Sequence, residues 1–265
     1  MITITSPQNA RIKRLVRLRK RSERDSSMLT VIDGIKEIRC ALDAGIKIAE
    51  LYACEELLAD ADDSLAIDAA SGASEIFSVS EEAFRKGAYG DRVEGLIAVV
   101  PIPKLELNDL TLGDCPLLLV IEGLEKPGNL GAVIRSADAA GVTAVIACEA
   151  KTDLFNPNAI RASIGTIFSV PVAGASSLET IEWLTNKGIH SFAATPHAES
   201  NHVDVDFKIP TAIVLGSEHH GLTNTWLEGA DATIRIPMQG KADSLNLAMS
   251  ATVLAFEAAR QRGWS

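Results

Sequence analysis

The sequence predicts an α/β protein with two successive domains, and two observations lead to this prediction. Short apolar segments of strand length alternate along the chain with longer segments whose pattern is typical of helices. A stretch at 101–114, which begins with two prolines and continues with polar residues, separates two halves of this kind. We therefore expect a smaller domain at 1–100, a linker at 101–114 and a larger domain at 115–265.

In the first half, helix and strand signals follow one another as in a small α/β layer sandwich. Ser6 and Pro7 are a favourable cap and first position for a basic helix. A second helix is expected at 34–44, closed by Gly45. Strands are expected at 29–32, 46–52, 76–79 and 96–100.

The second half alternates more regularly. Strands are expected at 117–121, 142–147, 189–193, 212–215 and 232–236, and helices at 130–140, 158–166, 181–187 and 244–260. Strands that are apolar throughout are typical of a parallel sheet covered by helices on both faces. Because ligands bind such sheets beyond the carboxyl ends of the strands, we expect the chemistry in the loops after Ile121, Leu215 and Ile236.

A cluster of positive charge lies near the start of an otherwise acidic chain. The formal net charge of −10 would disfavour a nucleic-acid partner, but segregated charge makes net charge a poor guide. Eight basic residues lie between positions 11 and 24, opposed only by Glu23. Such a patch can neutralise phosphates, and a merely solvated basic helix is the alternative. The candidate phosphate contacts are Arg11, Arg14, Arg17 and Lys20, with Lys36 and Arg39 as further candidates.

The sequence indicates neither a metal site nor a membrane segment. Its four cysteines show no C-x-x-C spacing, and the pair His219-His220 lacks the spacing of a helical metal site. No apolar run approaches the roughly 18 residues that span a bilayer, and the N-terminus lacks the pattern of a secretory signal. We expect a cytoplasmic protein without a bound metal. The acidic run at 50–63 is interpreted as solvated surface.

The loop at 122–135 passes from a strand into a helix that carries one arginine among apolar residues. Its glycines alone would suit an ordinary turn, and Gly-Asn-Leu-Gly at 128–131 lacks the G-x-G-x-x-G spacing of a dinucleotide site. Arg135 is expected near the start of this otherwise apolar helix, where packing alone does not explain the presence of a guanidinium. For this loop taken alone, a surface arginine remains the alternative.

Two further loops place polar groups after apolar strands. The loop at 213–222 holds Glu218 between glycines, which allow a ligand close to the backbone, although an ordinary turn is an equal alternative. The loop at 236–250 leads through a glycine turn into a helix. Ser244 is expected to cap this helix, and Asn246 is expected in its first turn, with its amide at the mouth of the same crevice.

Together, in this order and spacing, the three loops resemble the SpoU, or TrmH-like, branch of the SPOUT methyltransferases. The first motif is matched by Asn-Leu-Gly-Ala-Val-Ile-Arg at 129–135, the second by Leu-Gly-Ser-Glu at 215–218 with Gly221, and the third by Ile-Pro-Met-x-Gly at 236–240 with Ser-Leu-Asn at 244–246. One departure is Ala248, where family members commonly carry serine. The first half is more loosely similar to an L30e-like substrate-binding domain.

The resemblance implies a C-terminal α/β domain with a trefoil knot, an obligate homodimer, and S-adenosylmethionine as cofactor. The candidate cofactor contacts are Leu215, Gly216, Ile236, Met238 and Leu245. Arg135 would be the central catalytic residue, either as a base or, because free arginine is a very poor base, as a ligand of the adjacent phosphate and developing alkoxide. The residues expected to orient Arg135, substrate and cofactor are Asn129, Glu218, Ser244 and Asn246.

The resemblance thus implies an enzyme that methylates a ribose 2′-hydroxyl of structured RNA, with ribosomal RNA favoured over transfer RNA. Two alternatives stay open. A nucleotide-dependent oxidoreductase would need a dinucleotide fingerprint with an acidic residue about 20 positions later, and the sequence has neither in proper form. A non-catalytic RNA-binding or ribosome-assembly factor could keep the fold; the retained Arg135 and Asn129 argue against it, whereas Ala248 keeps it open.

Overall fold

The computed structural model describes residues 2–58, 63–90 and 93–263, and the chain forms two compact units. The first unit consists of Met1–Pro103 and Phe155–Ser169, and the second of Lys104–Leu154 and Val170–Ser265. The helices are α1 (Ala10–Arg17), α2 (Arg21–Ser27), α3 (Ile35–Asp43), α4 (Asp63–Gly72), α5 (Glu81–Gly87), α6 (Pro127–Ala139), α7 (Pro157–Ala162), α8 (Ser177–Lys187), α9 (Asn224–Gly229) and α10 (Leu247–Gln261). The strands are β1 (Ile2–Ile4), β2 (Leu29–Asp33), β3 (Glu50–Ala53), β4 (Glu75–Val79), β5 (Leu96–Pro101), β6 (Leu117–Glu122), β7 (Ala144–Cys148), β8 (Val172–Ala175), β9 (His190–Ala194), β10 (Thr211–Leu215) and β11 (Ala232–Ile234). In the described ranges, the helices are too short or too polar to cross a membrane.

The first unit is built on a five-stranded mixed sheet with the order β1-β4-β3-β5-β2. The strands β1, β4 and β3 run parallel, and β5 is antiparallel to both of its neighbours. Helix α1 contributes Leu15 to the same core as Tyr52 and Phe77. Helix α7 packs on β2, where the Thr30 hydroxyl donates a hydrogen bond to the Phe155 carbonyl at 2.8 Å. The expected α/β layer arrangement of this half is present.

The second unit is built on a six-stranded parallel sheet with the order β11-β9-β10-β6-β7-β8. Every residue of β6, β7 and β10 is buried, which explains why these strands are almost entirely apolar. Helices α6 and α10 pack together, and the hydroxyls of Ser136 and Thr252 form a hydrogen bond of 2.7 Å between them. Helices α8 and α9 bring Trp183 and Trp226 into the core. The expected parallel sheet flanked by helices is confirmed.

The stretch at 101–114, expected as an exposed linker, supplies part of the second unit's core. It forms a short 3-10 helix at Leu107–Asp109, and both Leu107 and Leu110 are buried in the core. The segment Phe155–Ser169, expected inside the larger domain, packs within the first unit because α7 contacts β2. The sequence-based division into domains stays a prediction, since units defined by contacts need not coincide with domains defined by sequence.

The basic segment forms two short helices, whereas one helix beginning at Ser6 was expected. Helix α1 begins later because the Asn9 side chain accepts a hydrogen bond from the Arg11 N–H at 2.9 Å, so Asn9 is its cap. Lys20 is extended, with φ −88° and ψ 136°, and it separates α1 from α2. The eight basic residues therefore do not share one helical face.

The final helix also begins later than expected. The Asn246 side chain accepts a hydrogen bond from the Met249 N–H at 2.8 Å, which makes Asn246 the cap of α10. Ser244 therefore lies outside the helix, and the expectation that Ser244 is the cap was wrong. Serine and asparagine are both favourable caps, so the sequence alone did not decide between these two positions.

Five elements were not predicted from the sequence: β1, β8, α4, α5 and α9. The strands β1 and β8 are three and four residues long and lie at sheet edges. Segments this short hold too few residues to show a hydrophobic period.

Candidate active site

A cavity of about 400 Å³ lies at the carboxyl ends of β9, β10 and β11 in the second unit. Its walls come from the loops after these strands and from the start of α10. The five candidate cofactor contacts all line it: Leu215, Gly216, Ile236, Met238 and Leu245. The parallel sheet explains this convergence, because neighbouring parallel strands end at the same edge. The role of these residues as cofactor contacts stays a prediction.

The loop after β10 turns back on itself so closely that position 216 requires glycine. Ser217 and Gly221 exchange two backbone hydrogen bonds, with N to O distances of 3.1 and 2.9 Å. A Cβ on Gly216 would lie 2.0 Å from the carbonyl carbon of Gly221 and 2.3 Å from the nitrogen of Leu222. Gly221 itself has φ +65°, which favours glycine. This tight loop brings backbone atoms to the cavity wall.

Polar groups line the cavity beside its apolar wall. Glu218 and Ser244, both named from the sequence, are among them. Thr195 and His197, in the loop after β9, line the same cavity and were not predicted from the sequence. Predicting this loop would have required the order of the strands in the sheet. Strand β9 lies between β10 and β11, so the loop after β9 lies between the loops after those two strands. The sequence does not reveal this order.

A smaller cavity of about 20 Å³ shares Glu218 with the first cavity and is also lined by Lys126 and Asn129 from the first motif loop. The Lys126 ammonium lies 3.1 Å from the Glu218 carboxylate. This contact, together with a hydrogen bond from Asn129, lowers the pKa of Glu218. Glu218 is therefore held as an anion between the two motif loops. Lys126 was not expected in the site, although it lies three positions before Asn129.

Arg135 and Asn246 line neither of these two cavities. Helix α6 begins at Pro127, since proline suits the first helical position. Arg135 therefore lies in the third turn, and the expectation that it is near the helix start was wrong. Its side chain is exposed. Asn246 was expected to present its amide at the crevice, but its side chain is engaged with the Met249 N–H.

Two of the four candidate phosphate contacts are engaged inside the first unit. Arg11 donates hydrogen bonds of 2.8 and 2.9 Å to Glu75, and its guanidinium lies 4.3 Å from the centre of the Phe77 ring. Arg14 forms an ion pair with Glu50. Glu50 is only 4% exposed and needs such a partner. The interpretation of 50–63 as solvated surface was therefore wrong for Glu50, and residues 59–62 lie outside the described ranges.

The other two candidates lie at the surface. Arg17 is exposed, with its guanidinium 3.6 Å from Glu23, and Lys20 is exposed as well. Lys13, which was not singled out, is also exposed. In contrast, Arg24 is 1% exposed and donates to a backbone carbonyl at 2.7 Å. The basic surface available to a polyanion is therefore smaller than the eight charges suggested.

No group of three or more His, Cys, Asp or Glu side chains in the described ranges is arranged to hold a metal ion. The expectation that no metal is bound stays a prediction. The four cysteines are free thiols. Burial raises the pKa of the Cys148 thiol to about 12, so this side chain stays protonated near neutral pH.

Comparison with protein families covers both units of the chain. The model of the SpoU rRNA Methylase family matches residues 116–256, which include all three motif loops and the larger cavity. The chain belongs to the SpoU rRNA methylase family. The model of the MRM3-like substrate binding domain matches residues 9–98, which include the basic segment. The sequence-based assignment to this family, with a substrate-binding domain before it, is confirmed.

Individual relatives agree with the family assignment. A 23S rRNA (guanosine-2'-O-)-methyltransferase, RlmB, of Ralstonia nicotianae is 37% identical over 186 residues, or 68% of this chain and 75% of the relative. A crystal structure of an RNA 2'-O ribose methyltransferase is 42% identical, covers 98% of this chain and 99% of its own, and has a TM-score of 0.86. The AdoMet-bound rRNA methyltransferase of Sinorhizobium meliloti is 28% identical, covers 97% of both chains and has a TM-score of 0.89. The expected trefoil knot stays a prediction.

Proposed function

We propose that this protein transfers a methyl group from S-adenosylmethionine to a ribose 2′-hydroxyl of ribosomal RNA. The observation that carries the proposal is the cavity at the carboxyl edge of the parallel sheet, lined by the second and third SpoU motif loops. Ribosomal RNA is favoured over transfer RNA because the Ralstonia and Sinorhizobium relatives are named as rRNA methyltransferases. A cytoplasmic location is part of the proposal, since it follows from this substrate.

The cavity suits S-adenosylmethionine in size and in the character of its walls. Its volume of about 400 Å³ lies within the range of roughly 300–1,000 Å³ for small-molecule sites. Leu215, Ile236 and Met238 offer apolar surface to an adenine ring. Gly216 lines the cavity as well, where the tight loop presents backbone atoms to a ligand. The carboxylate of Glu218 is suited to the positive charge of a sulfonium or an ammonium group.

When bound, S-adenosylmethionine supplies an electrophilic methyl group on a sulfonium. The protein must hold the ribose hydroxyl in line with that methyl group and stabilise the oxygen as it loses its proton. We assign the stabilisation to Arg135, acting on the adjacent phosphate and the developing alkoxide, because a guanidinium is a very poor base. Asn129, Glu218 and Ser244 orient the substrate, and Asn246 contributes by capping α10.

A homodimer completes this site in our proposal. Arg135 is exposed on α6 and lines neither of the two cavities described above, so its role requires a further surface. Helix α10, which packs against α6, exposes Met249 and Val253 on successive turns. Exposed apolar side chains that share a helix face suit a protein interface. A second copy that covers this face would add surface next to Arg135.

RNA binding by the first unit is assigned to three exposed cations of the basic segment, Lys13, Arg17 and Lys20. Phosphate contacts of this kind supply most of the affinity of non-specific RNA binding. Arg11 and Arg14 act indirectly in this proposal, because their carboxylate partners fix α1 against the sheet.

Calorimetric titration of the purified protein with S-adenosylmethionine, with NAD as the control ligand, tests the proposal. We expect saturable binding near one cofactor per chain and no binding of NAD. Binding of neither ligand would favour the non-catalytic RNA-binding alternative. Mapping of 2′-O-methyl groups on ribosomal RNA from a strain that lacks the protein then identifies the modified nucleotide.

The role of Arg135 has its own test. Arg135→Ala should leave cofactor binding unchanged and lower methyl transfer roughly 100-fold or more, because it removes charge stabilisation at the transition state. Turnover is measured with the RNA identified by mapping. Wild-type turnover in this variant would remove the assigned role.

A further inference from the structure

The carboxylate of Glu122 is buried at the carboxyl end of β6. Glu122 is 5% exposed and is the last residue of a strand otherwise made of leucine, valine and isoleucine. Its hydrogen-bond donors in the described part of the chain are two hydroxyls and one peptide N–H. A carboxylate in such a place is costly unless its oxygens are hydrogen-bonded. The groups that donate hydrogen bonds to Glu122 therefore indicate its structural role.

Two of the three donors belong to Thr223. Its peptide N–H donates to one oxygen of Glu122 at 2.8 Å, and its hydroxyl donates to the other oxygen at 2.7 Å. Thr223 is the cap residue of α9, yet its hydroxyl makes no capping bond to the helix. A threonine at this position usually accepts a hydrogen bond from the first helical turn. Here the hydroxyl instead donates its hydrogen bond to Glu122, on strand β6 of the central sheet.

Thr223 follows directly on the loop that lines the larger cavity. Leu222 lines the cavity, Gly221 pairs with Ser217, and Gly216 has no room for a Cβ. The loop is therefore held by β10 at its beginning and by the buried carboxylate at its end. Loss of the hydrogen bonds between Thr223 and Glu122 would therefore allow the cavity wall to move.

The third donor extends the same cluster to α8 and α9. The Ser177 hydroxyl oxygen lies 3.1 Å from Glu122 and 2.6 Å from Glu149, and it accepts a hydrogen bond from the Trp226 indole N–H at 2.8 Å. Trp226 is fully buried on α9. Helix α9 is thus attached to the cluster at two points, its cap and its tryptophan.

We propose that Glu122 is a positioning residue for the cofactor cavity. It anchors Thr223 and thereby fixes the loop at 216–222, against which S-adenosylmethionine binds. This inference rests on the proposed function, because it takes S-adenosylmethionine as the ligand of the cavity. Glu122 does not line either cavity, so its removal deletes no group that would touch the cofactor.

The pair Glu122→Ala and Glu122→Gln tests the anchor. Alanine removes every acceptor, whereas a glutamine carbonyl can accept from the Thr223 N–H and its NH₂ group can donate to the two hydroxyl oxygens. We expect the calorimetric Kd for S-adenosylmethionine to rise about tenfold or more in Glu122→Ala, the effect of losing hydrogen bonds to a buried charged group. In Glu122→Gln the rise should stay within about threefold, because most of the hydrogen bonds are restored.

A second variant and a matched control separate positioning from general destabilisation. Thr223→Val removes only the hydroxyl and should raise the Kd about fivefold. Thr180→Val is the control, because Thr180 is fully buried on α8, donates to the Ser176 carbonyl at 2.8 Å and does not line the cavity. This control should lower the unfolding midpoint without changing the Kd.

Wild-type affinity in both Glu122→Ala and Thr223→Val, or an equal loss of affinity in Thr180→Val, would overturn the inference. If Glu122→Ala does not fold, the comparison of Thr223→Val with Thr180→Val decides. Wild-type protein that binds no S-adenosylmethionine would instead overturn the proposed function, so the two failures are distinguishable.

Discussion

Gly216 illustrates how one absent atom can determine the shape of a cavity wall. The position tolerates no Cβ because the obstacle is the peptide of Gly221 and Leu222, and a backbone cannot swing aside as the end of a long side chain can. The cofactor cavity proposed for this protein therefore depends on backbone geometry at a point where sequence composition alone indicates only a turn.

Gly216→Ala should displace the loop and raise the Kd for S-adenosylmethionine about tenfold or more. The reason is that adding a methyl group where there is no room typically costs about 1–3 kcal/mol. Calorimetry measures the effect. Gly113→Ala serves as the control, because a Cβ there meets nothing within 4 Å. Unchanged cofactor affinity in Gly216→Ala would show that this loop is not part of the binding wall.

Asp33 is a second residue whose surroundings have a measurable consequence. Burial raises its pKa from 3.8 to about 6, although a hydrogen bond from the Tyr89 N–H and the nearby Arg161 guanidinium act in the opposite direction. Glu94 and Glu37 add to the rise. Because the folded state binds this proton more tightly than the unfolded chain does, the contribution of Asp33 to stability is complete below about pH 4 and is lost as the pH rises through about 6.

Asp33→Asn should therefore be more stable than the wild type at pH 7, by up to roughly 3 kcal/mol, and the difference should vanish below about pH 4. Urea unfolding across this pH range measures it. Asp114→Asn, at an exposed position, is the control. A variant that is less stable than the wild type at pH 7 would contradict the prediction.

At the scale of helices, α1 and the cap residue that follows it divide their positive charge between two tasks. Arg11 and Arg14 pair with carboxylates of the sheet, whereas Lys13, Arg17 and Lys20 are exposed. Substitution within one short segment can therefore separate an effect on RNA binding from an effect on folding.

Replacing Lys13, Arg17 and Lys20 by alanine should weaken RNA binding and lower the slope of log K against log salt by about one for each phosphate that is no longer neutralised. Arg14→Ala should instead lower the free energy of unfolding by about 1–3 kcal/mol, because it leaves the buried Glu50 with fewer partners. Filter-binding titrations at several salt concentrations and urea unfolding measure the two effects. A salt slope equal to that of the wild type in the triple variant would place the RNA surface elsewhere.

The core strands of the second unit could be predicted from sequence, whereas the first residues of helices in both units could not. The strands β6, β7 and β10 are apolar enough to be recognised without knowledge of their neighbours. The starts of α1 and α10 depend on which of two good capping residues turns its side chain to the helix, and Asn9 and Asn246 do so. That choice depends on how the preceding chain enters the helix, which local sequence does not determine.

The sequence was sufficient to predict which three loops form the candidate site. It was not sufficient to predict which side chains in the site contact one another. Glu218 and the five proposed cofactor contacts were identifiable because motif spacing carries them. Lys126, His197 and Glu122 were not, because their relevance arises from partners distant in the chain. Likewise, nothing in the basic segment indicates that Glu75 binds Arg11 across 64 positions.

At the scale of the whole molecule, the proposed homodimer depends on a face of α10 that one chain leaves uncovered. Met249 is 57% exposed and Val253 is 36% exposed. We expect Met249→Glu combined with Val253→Glu to convert a dimer into monomers, because two carboxylates would have to be desolvated in the interface. Sedimentation equilibrium measures the mass.

Leu178→Glu is the matched control for this prediction. Leu178 is an apolar residue with 72% exposure on α8, a helix outside the proposed interface, so the substitution should leave the dimer intact. Dimers that persist in the α10 variant, or a wild-type protein that is monomeric, would contradict the proposed interface.

The placement of Phe155–Ser169 within the first unit has a consequence for how the chain is made. A ribosome synthesises this protein from its N-terminus, and domains generally fold as they emerge. When Pro103 has left the exit tunnel, α7 does not yet exist, so Thr30 on β2 lacks the Phe155 carbonyl that its hydroxyl binds in the finished structure. The first unit therefore cannot be completed during translation until much of the methylase sequence has also appeared. Nascent chains arrested when Pro103 has just left the tunnel should be digested by protease more readily than chains arrested when Ser169 has also left it.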